Sequence, residues 1–391
     1  MQDRPRGGLA ALCIAQTTSW GLLYYSLPVA VPPIADDTGW SHTAITAALT
    51  FGLIVSAIAG LRVGKLLNIN GPRRLMTVGS LIGVFALFLV AWSPNLAWFY
   101  IAWLIAGLAQ SAVLYPPAFA VITRWYGLQR IRPLTTLTLV AGFASTIFAP
   151  IVAYLIDQFG WRVSYVIMAV ILGVITVPLR IFFLNGRWTD STATSPNRDQ
   201  ADQIKREVRA VTRSPRFILL AAVMAFAGFA LFAVTINIVP LLLERGLTYS
   251  TAAVALGLVG AGQVIGRVGY APLSRKTTPQ QRIMLIYGAG AISLVAVAVV
   301  PEPAWLLISL AVLAGAARGC HTPLQATAAA DRWGTTNFAH VNATLSAPMT
   351  ALGALAPVSG PALATVFGSY TAMALLMAGL LAGVTIAAAK T

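Results

Sequence analysis

Apolar residues occupy this chain in runs of about twenty, each closed by glycine, proline or a cluster of charge, without sustained two-residue alternation. A helix rises 1.5 Å per residue, so such a run crosses the ~30 Å hydrocarbon core of a bilayer, whereas a membrane strand needs about ten alternating residues. The pattern predicts helices over 9–34, 42–63, 75–92, 96–122, 133–156 and 162–184, then 216–242, 249–272, 283–300, 304–329, 339–366 and 369–389. Twelve helices split six and six give an all-α integral membrane protein: a bundle over 1–184, a linker over 185–215 and a second bundle over 216–391. The linker is the one long polar stretch, Ser/Thr/Pro-rich at first and then short, basic and amphipathic. That basic end is expected to lie on anionic headgroups.

Composition agrees with the pattern. Only 9% of the 391 residues are charged and mean hydropathy is +0.79, against roughly 25% charged in soluble domains. A net charge of +15 would suggest nucleic acid in a soluble chain, but here the basic residues fall in short loops, so none is expected as a partner. Arg4, Arg6, Arg62, Lys65, Arg73, Arg74, Arg124, Arg130, Arg132, Arg275, Lys276, Arg282, Arg332 and Lys390 gather on one side. Asp36, Asp37, Asp157, Glu244 and Glu302 gather on the other, where only Arg162 and Arg245 run against the trend. The positive-inside rule then places both termini in the cytoplasm of an inner (plasma) membrane protein. The first apolar run, too long for a signal core, reads as the first helix. Cys13 and Cys320 read as small core residues without a disulfide.

The halves echo each other. Gly107 to Trp125 (GLAQSAVLYPPAFAVITRW) in the fourth helix aligns with Gly315 to Trp333 (GAARGCHTPLQATAAADRW) in the tenth, keeping the glycine and the Arg-Trp pair in register. Gln110 then corresponds to Arg318. Parallel six-helix repeats of this kind point to one transporter architecture.

Two arginines stand inside apolar runs. Arg267 lies within LGLVGAGQVIGRVGYAPL, and Arg318 about 21 Å into its helix. Arginine at a bilayer centre costs at least about 2.5–3.5 kcal/mol, so it usually faces a cavity, a partner or a substrate. Neither run contains aspartate or glutamate, and the nearest acids, Glu244 and Glu302, stand at helix ends. The counter-ion is therefore expected to arrive as a small anion. The competing reading is that Arg267 snorkels to the interface.

Gly64-Lys65-Leu66-Leu67-Asn68 followed by Gly71-Pro72-Arg73-Arg74 after the second helix, on twelve helices with a central linker, resembles the major facilitator superfamily. Asn68 stands where that family usually carries aspartate. Gly39-Trp40-Ser41, Gly71-Pro72-Arg73-Arg74 and Gly160-Trp161-Arg162 further resemble the monocarboxylate and oxalate/formate porter group, which implies an eighth-helix arginine that binds substrate carboxylate, matched by Arg267. The animal members' aspartate one turn earlier is replaced by Gln263, and their lysine after the first-helix proline by Val29. No lysine occurs in 339–366, where oxalate/formate members carry one.

The expected substrate site thus comprises Arg267 and Arg318, with Tyr24, Tyr115 and Gln110 on the opposite wall and Gln263, His321 and Asn342 nearby. The gating motif comprises Gly64, Asn68, Gly71, Arg73 and Arg74. Each polar residue has a packing alternative: Tyr24 as an interfacial anchor, His321 as a hydrogen-bonded core histidine, Asn342 as helix glue. With no intramembrane carboxylate, coupling falls to His321, the substrate's own proton or a counter-anion. No phosphate-binding GxxxxGK[ST] and no His/Cys cluster is present, so no cofactor, metal or enzymatic role is expected. These features predict a secondary active transporter for a small organic anion. Efflux of neutral or anionic drugs or metabolites, and a non-transporting sensor or assembly partner, are the alternatives.

Overall fold

The computed structural model describes residues 5–186, 188, 206–300, 303–334 and 338–391. Most of the predicted linker, and Glu302, lie outside these residues.

All twelve predicted helices form. We label them α1 (residues 8–38), α2 (42–70), α3 (72–91), α4 (96–126), α5 (131–159), α6 (161–183), α7 (215–244), α8 (Tyr249–Lys276), α9 (Pro279–Val299), α10 (304–333), α11 (Phe338–Phe367) and α12 (Tyr370–Ala388). Helices α2 and α3 join without a loop, as do α5 and α6, because a single glycine reverses the backbone in each case. Gly71 (φ 71°, ψ 167°) and Gly160 (φ 70°, ψ 163°) adopt values at which a side chain would be strained. The motif glycine and the Gly-Trp pair are therefore corners first. The described residues form two compact units, one from 1–190 with 246–260, the other from 191–245 with 261–391.

Four predicted single helices are interrupted, mostly where proline removes an N–H. In α1 the turn Gly21–Tyr25 widens to a π-helix, and Pro28 cannot donate to the carbonyl of Tyr24. Helix α4 breaks at Leu114 (φ −84°, ψ −161°), ahead of Pro116 and Pro117. Helix α7 breaks at Asn237, ahead of Pro240, and the Asn237 amide returns 2.9 Å to the carbonyl of Ala233. Helix α5 is interrupted at Phe143, where no proline accounts for it.

Small residues let neighbouring helices touch backbone to backbone. In the first unit, the Cβ position of Gly52 on α2 would meet the carbonyl of Trp103 on α4, and that of Gly107 the carbonyl of Gly52. In the second unit Gly262 and Gly266, a GxxxG pair on α8, press on the carbonyls of Val312 and Ala316 of α10, while Gly319 of α10 presses on Gln263. The same seam recurs in both halves. The repeated tryptophans also take matching places: Trp125 at the end of α4 covers Gly8 of α1, and Trp333 at the end of α10 packs on Phe217 of α7 with ring centroids 5.3 Å apart.

Of the motif residues, Gly64, Asn68, Arg73 and Arg74 are exposed and Gly71 is buried. Trp188, expected as free linker, instead docks on this corner. Its Nε1 donates to the Asn68 carbonyl at 3.0 Å, Arg124 lies 4.2 Å over its ring, and the ring sits against Gly71. Residues 206–212 are helical and mostly exposed. Arg282, expected in a loop, is buried at the start of α9, where it donates to Asp331 (2.8 Å) and to the hydroxyl of Tyr270 (3.1 Å).

Candidate functional site

In the first unit, the helix interruptions decide which polar groups meet. Trp20 lies between Tyr24 and Tyr115, with ring centroids 5.2 and 5.0 Å away, and Tyr25 packs edge-on against Tyr24. Tyr24 is buried, while Tyr115 is half-buried and stacks on Phe119. Gln110 is fully buried, and its Nε2 donates at 2.8 Å to the Leu23 carbonyl inside the π turn. Tyr24, Tyr115 and Gln110 are thus brought to one level of α1 and α4. Gln110 spends its donor on backbone, and its Oε1 has no hydrogen-bond partner.

Among the described residues the most deeply buried arginine is one that the sequence pattern does not single out. Arg180 on α6 is 1% exposed. Its Nη1 donates to Ser80 and to the Met76 carbonyl (3.1 Å), and its Nη2 to Ser19 (3.0 Å) and, at 3.5 Å, to the Val113 carbonyl. Thr176 also donates to Ser80. Val113 has no helical donor of its own, because Pro116 and Pro117 occupy both candidate positions. Arg180 therefore holds α1 and α3 at the break of α4. An arginine one turn inside a predicted helix end resembles an interfacial anchor, and only its acid-free surroundings signalled otherwise.

In the second unit the seam organises the rest. Its contact pairs advance together along α8 and α10, so these helices run parallel. Arg267 and Arg318, each one residue from a seam glycine, lie at a common level. Cys320 Sγ caps the Gly266 carbonyl at 3.1 Å, a packing role. Gln263 is buried along the seam, and Arg267 is half-buried.

Arg318 reaches away from α8 towards α7. Its Nη1 donates to Thr235 Oγ1 at 2.9 Å, and its guanidinium carbon lies 4.0 Å over the Phe232 ring. Both partners are neutral. Ion pairs between described residues include Arg162–Asp37 and Arg282–Asp331, both at helix ends, and among the described residues Arg318 is paired with no carboxylate. One turn on, His321 Nδ1 lies 2.9 Å from the buried Tyr287 hydroxyl of α9. Asn342 is half-buried on α11, where Gln325 of α10 donates to Ser346 at 3.1 Å. The arrangement offers a fixed cation with spare donors, an imidazole and hydroxyls.

The description "Major Facilitator Superfamily" matches residues 12–313 of the chain. Monocarboxylate transporter 11 of Homo sapiens is 26% identical over 324 residues, 78% of this chain and 65% of that protein. The chain thus spans just under two thirds of that relative's length. Monocarboxylate transporter 13 of Rattus norvegicus is 22% identical over 372 residues, 93% of this chain and 82% of that protein. The crystal structure of the nucleoside transporter NupG superposes with a TM-score of 0.73 at 13% identity, covering 97% of this chain and 98% of that one. At that identity the likeness concerns the fold.

Proposed function

We propose, from the premise that this chain belongs to the Major Facilitator Superfamily and is a multi-pass membrane transporter, that its substrate is a small organic anion of the monocarboxylate kind. The carrying observation is Arg318, placed about 21 Å into α10 and held by a hydroxyl and a ring instead of a carboxylate. A cation is retained at such depth when something offsets its desolvation. A bound carboxylate supplies that charge, and a guanidinium fork matches it in two hydrogen bonds. Arg267 lies at the same level of the neighbouring helix. The named carboxylate transporters among the relatives support the same class.

In this reading the protein works by secondary alternating access. The bundles 1–184 and 216–391 are joined by 185–215, and both termini are cytoplasmic in accordance with the Lys/Arg distribution.

The test is uptake by vesicles containing the purified protein alone, together with thermal stabilisation by lactate, pyruvate, inorganic anions, neutral lipophiles and cations. A monocarboxylate at a hundred times its Kd is expected to stabilise by about 2.7 kcal/mol. Arg318→Gln is expected to weaken binding about tenfold to a hundredfold, the worth of one or more charge-assisted hydrogen bonds, while Arg318→Lys recovers only part. Stabilisation by neutral lipophiles alone, or carboxylate uptake unaltered in Arg318→Gln, would overturn this reading.

A further inference from the structure

We infer that the His321–Tyr287 pair is the proton site that couples anion movement at Arg318 to a proton gradient. This rests on the anion reading above and adds to it a driving ion.

The local geometry comes from three helices. Along α7, Gly228, Phe232 and Thr235 recur at helical spacing on one face. Phe232 and Thr235 receive Arg318, and Gly228 receives His321, whose Nε2 would lie 2.8 Å from any Cβ at that position. Glycine is thus what admits the imidazole edge. From the far side, Tyr287 of α9 closes on Nδ1 at 2.9 Å. The titratable or charged groups facing His321 are therefore Tyr287 from α9 and Arg318 from its own helix, while α7 meets it with Gly228. No aspartate or glutamate occurs within Pro215–Ile236, Pro279–Val299 or Ala304–Ala328, so His321 is the one side chain of these three stretches whose residue type ordinarily changes charge near neutral pH.

Tyrosine suits both protonation states of its neighbour. A neutral imidazole accepts the hydroxyl hydrogen at Nδ1 and carries its own hydrogen on Nε2. On protonation Nδ1 takes the new hydrogen, and the hydroxyl turns to accept it. One N–H bond forms as hydronium gives up its proton, and the reverse occurs on the other side of the membrane. The pair keeps its one hydrogen bond at either stage.

Arg318 makes the step conditional. A cation one turn away opposes a second positive charge on His321, whereas a carboxylate on Arg318 cancels that opposition. Proton and anion therefore favour each other's binding, and the effect is reciprocal by linkage. The consequence is symport.

The experiment compares the parent, His321→Gln and Tyr287→Phe in proteoliposomes. It uses radiolabelled lactate, pyruvate, glycolate and acetate, with flux in protein-free vesicles subtracted and internal pH followed by a trapped dye. An inside-alkaline gradient of one pH unit is expected to sustain about tenfold accumulation by the parent at one proton per anion. Internal acidification should accompany uptake. In His321→Gln the pH profile of uptake is expected to be flat, with no acidification, whatever rate remains; Tyr287→Phe should shift the profile without flattening it. A His321→Gln profile that follows the parent's, or parent exchange indifferent to the gradient, overturns the coupling. Should His321→Gln fail to fold, an unshifted Tyr287→Phe profile overturns it equally. If the parent neither moves nor is stabilised by any of the four acids, the anion reading fails instead.

Discussion

Gly266→Ala is expected to yield a protein that is poorly monodisperse and strongly destabilised, while Gly269→Ala, three residues along the same helix, behaves like the parent. A Cβ at Gly266 would be driven into the carbonyl oxygen, carbonyl carbon and Cα of Ala316, whereas one at Gly269 would meet nothing within 4 Å. Backbone atoms of a packed helix cannot rotate aside as a side chain does, so the clash separates α8 from α10. Overpacking a tight interior costs about 1–3 kcal/mol and sometimes more, and a wholly backbone obstacle puts this case at the upper end. The shift also moves Arg267 relative to Arg318. Carboxylate-dependent stabilisation is therefore expected to fall further than the thermal midpoint alone predicts. Size-exclusion profiles and thermal midpoints of the two variants in one detergent decide the matter. Equal behaviour would mean that the seam tolerates a methyl group.

Arg180 carries the second large effect. Arg180→Ala removes a guanidinium that donates to two serine hydroxyls and two carbonyls, and each charge-assisted bond contributes about 1.5–3 kcal/mol. Relief of the buried charge offsets part of this. A net loss of about 2–5 kcal/mol is expected, and Arg180→Lys should restore a minor share because one ammonium cannot span all four acceptors. Arg180→Met is the informative variant. Ser19 and Ser80 can turn to other acceptors, but Val113 sits ahead of two prolines and regains no donor. Methionine is therefore expected to remain clearly below the parent in thermal midpoint. A methionine variant as stable as the parent would show that burying the charge costs as much as its hydrogen bonds return.

These effects fall at positions of unequal legibility. Gly262 and Gly266 form a GxxxG pair visible in the chain, yet only packing shows that they face α10 and that Gly269 does not. Arg318 was readable because an apolar helix surrounds it without acid. The same was true of Arg180, but its place near a helix end concealed it. Gln110 was legible as a polar residue inside the fourth helix and was expected on the substrate wall; its use on the Leu23 carbonyl depended on a π turn that no local pattern marks. Trp188 read as linker because its docking corner, Asn68 and Gly71, lies more than a hundred residues earlier in the chain.

By itself the sequence determined the membrane class and the twelve spans, because both follow from the length of an apolar run set against the thickness of a bilayer. The echo between the halves was likewise present in the register of Gly107 with Gly315. That the stretches 64–74 and 157–161 are helix turned at Gly71 and Gly160, instead of loops, came from the structure. Tertiary structure decided where helices yield and what each buried polar group then touches. A widened turn or a proline frees a carbonyl, but the donor that reaches it is chosen by whichever helix packs alongside: Gln110 for Leu23 in the π turn of α1, Arg180 for Val113 at the break of α4. The partners of Arg318 and His321 were fixed in the same way, since Thr235 and Tyr287 reach them only once α7, α9 and α10 are packed together.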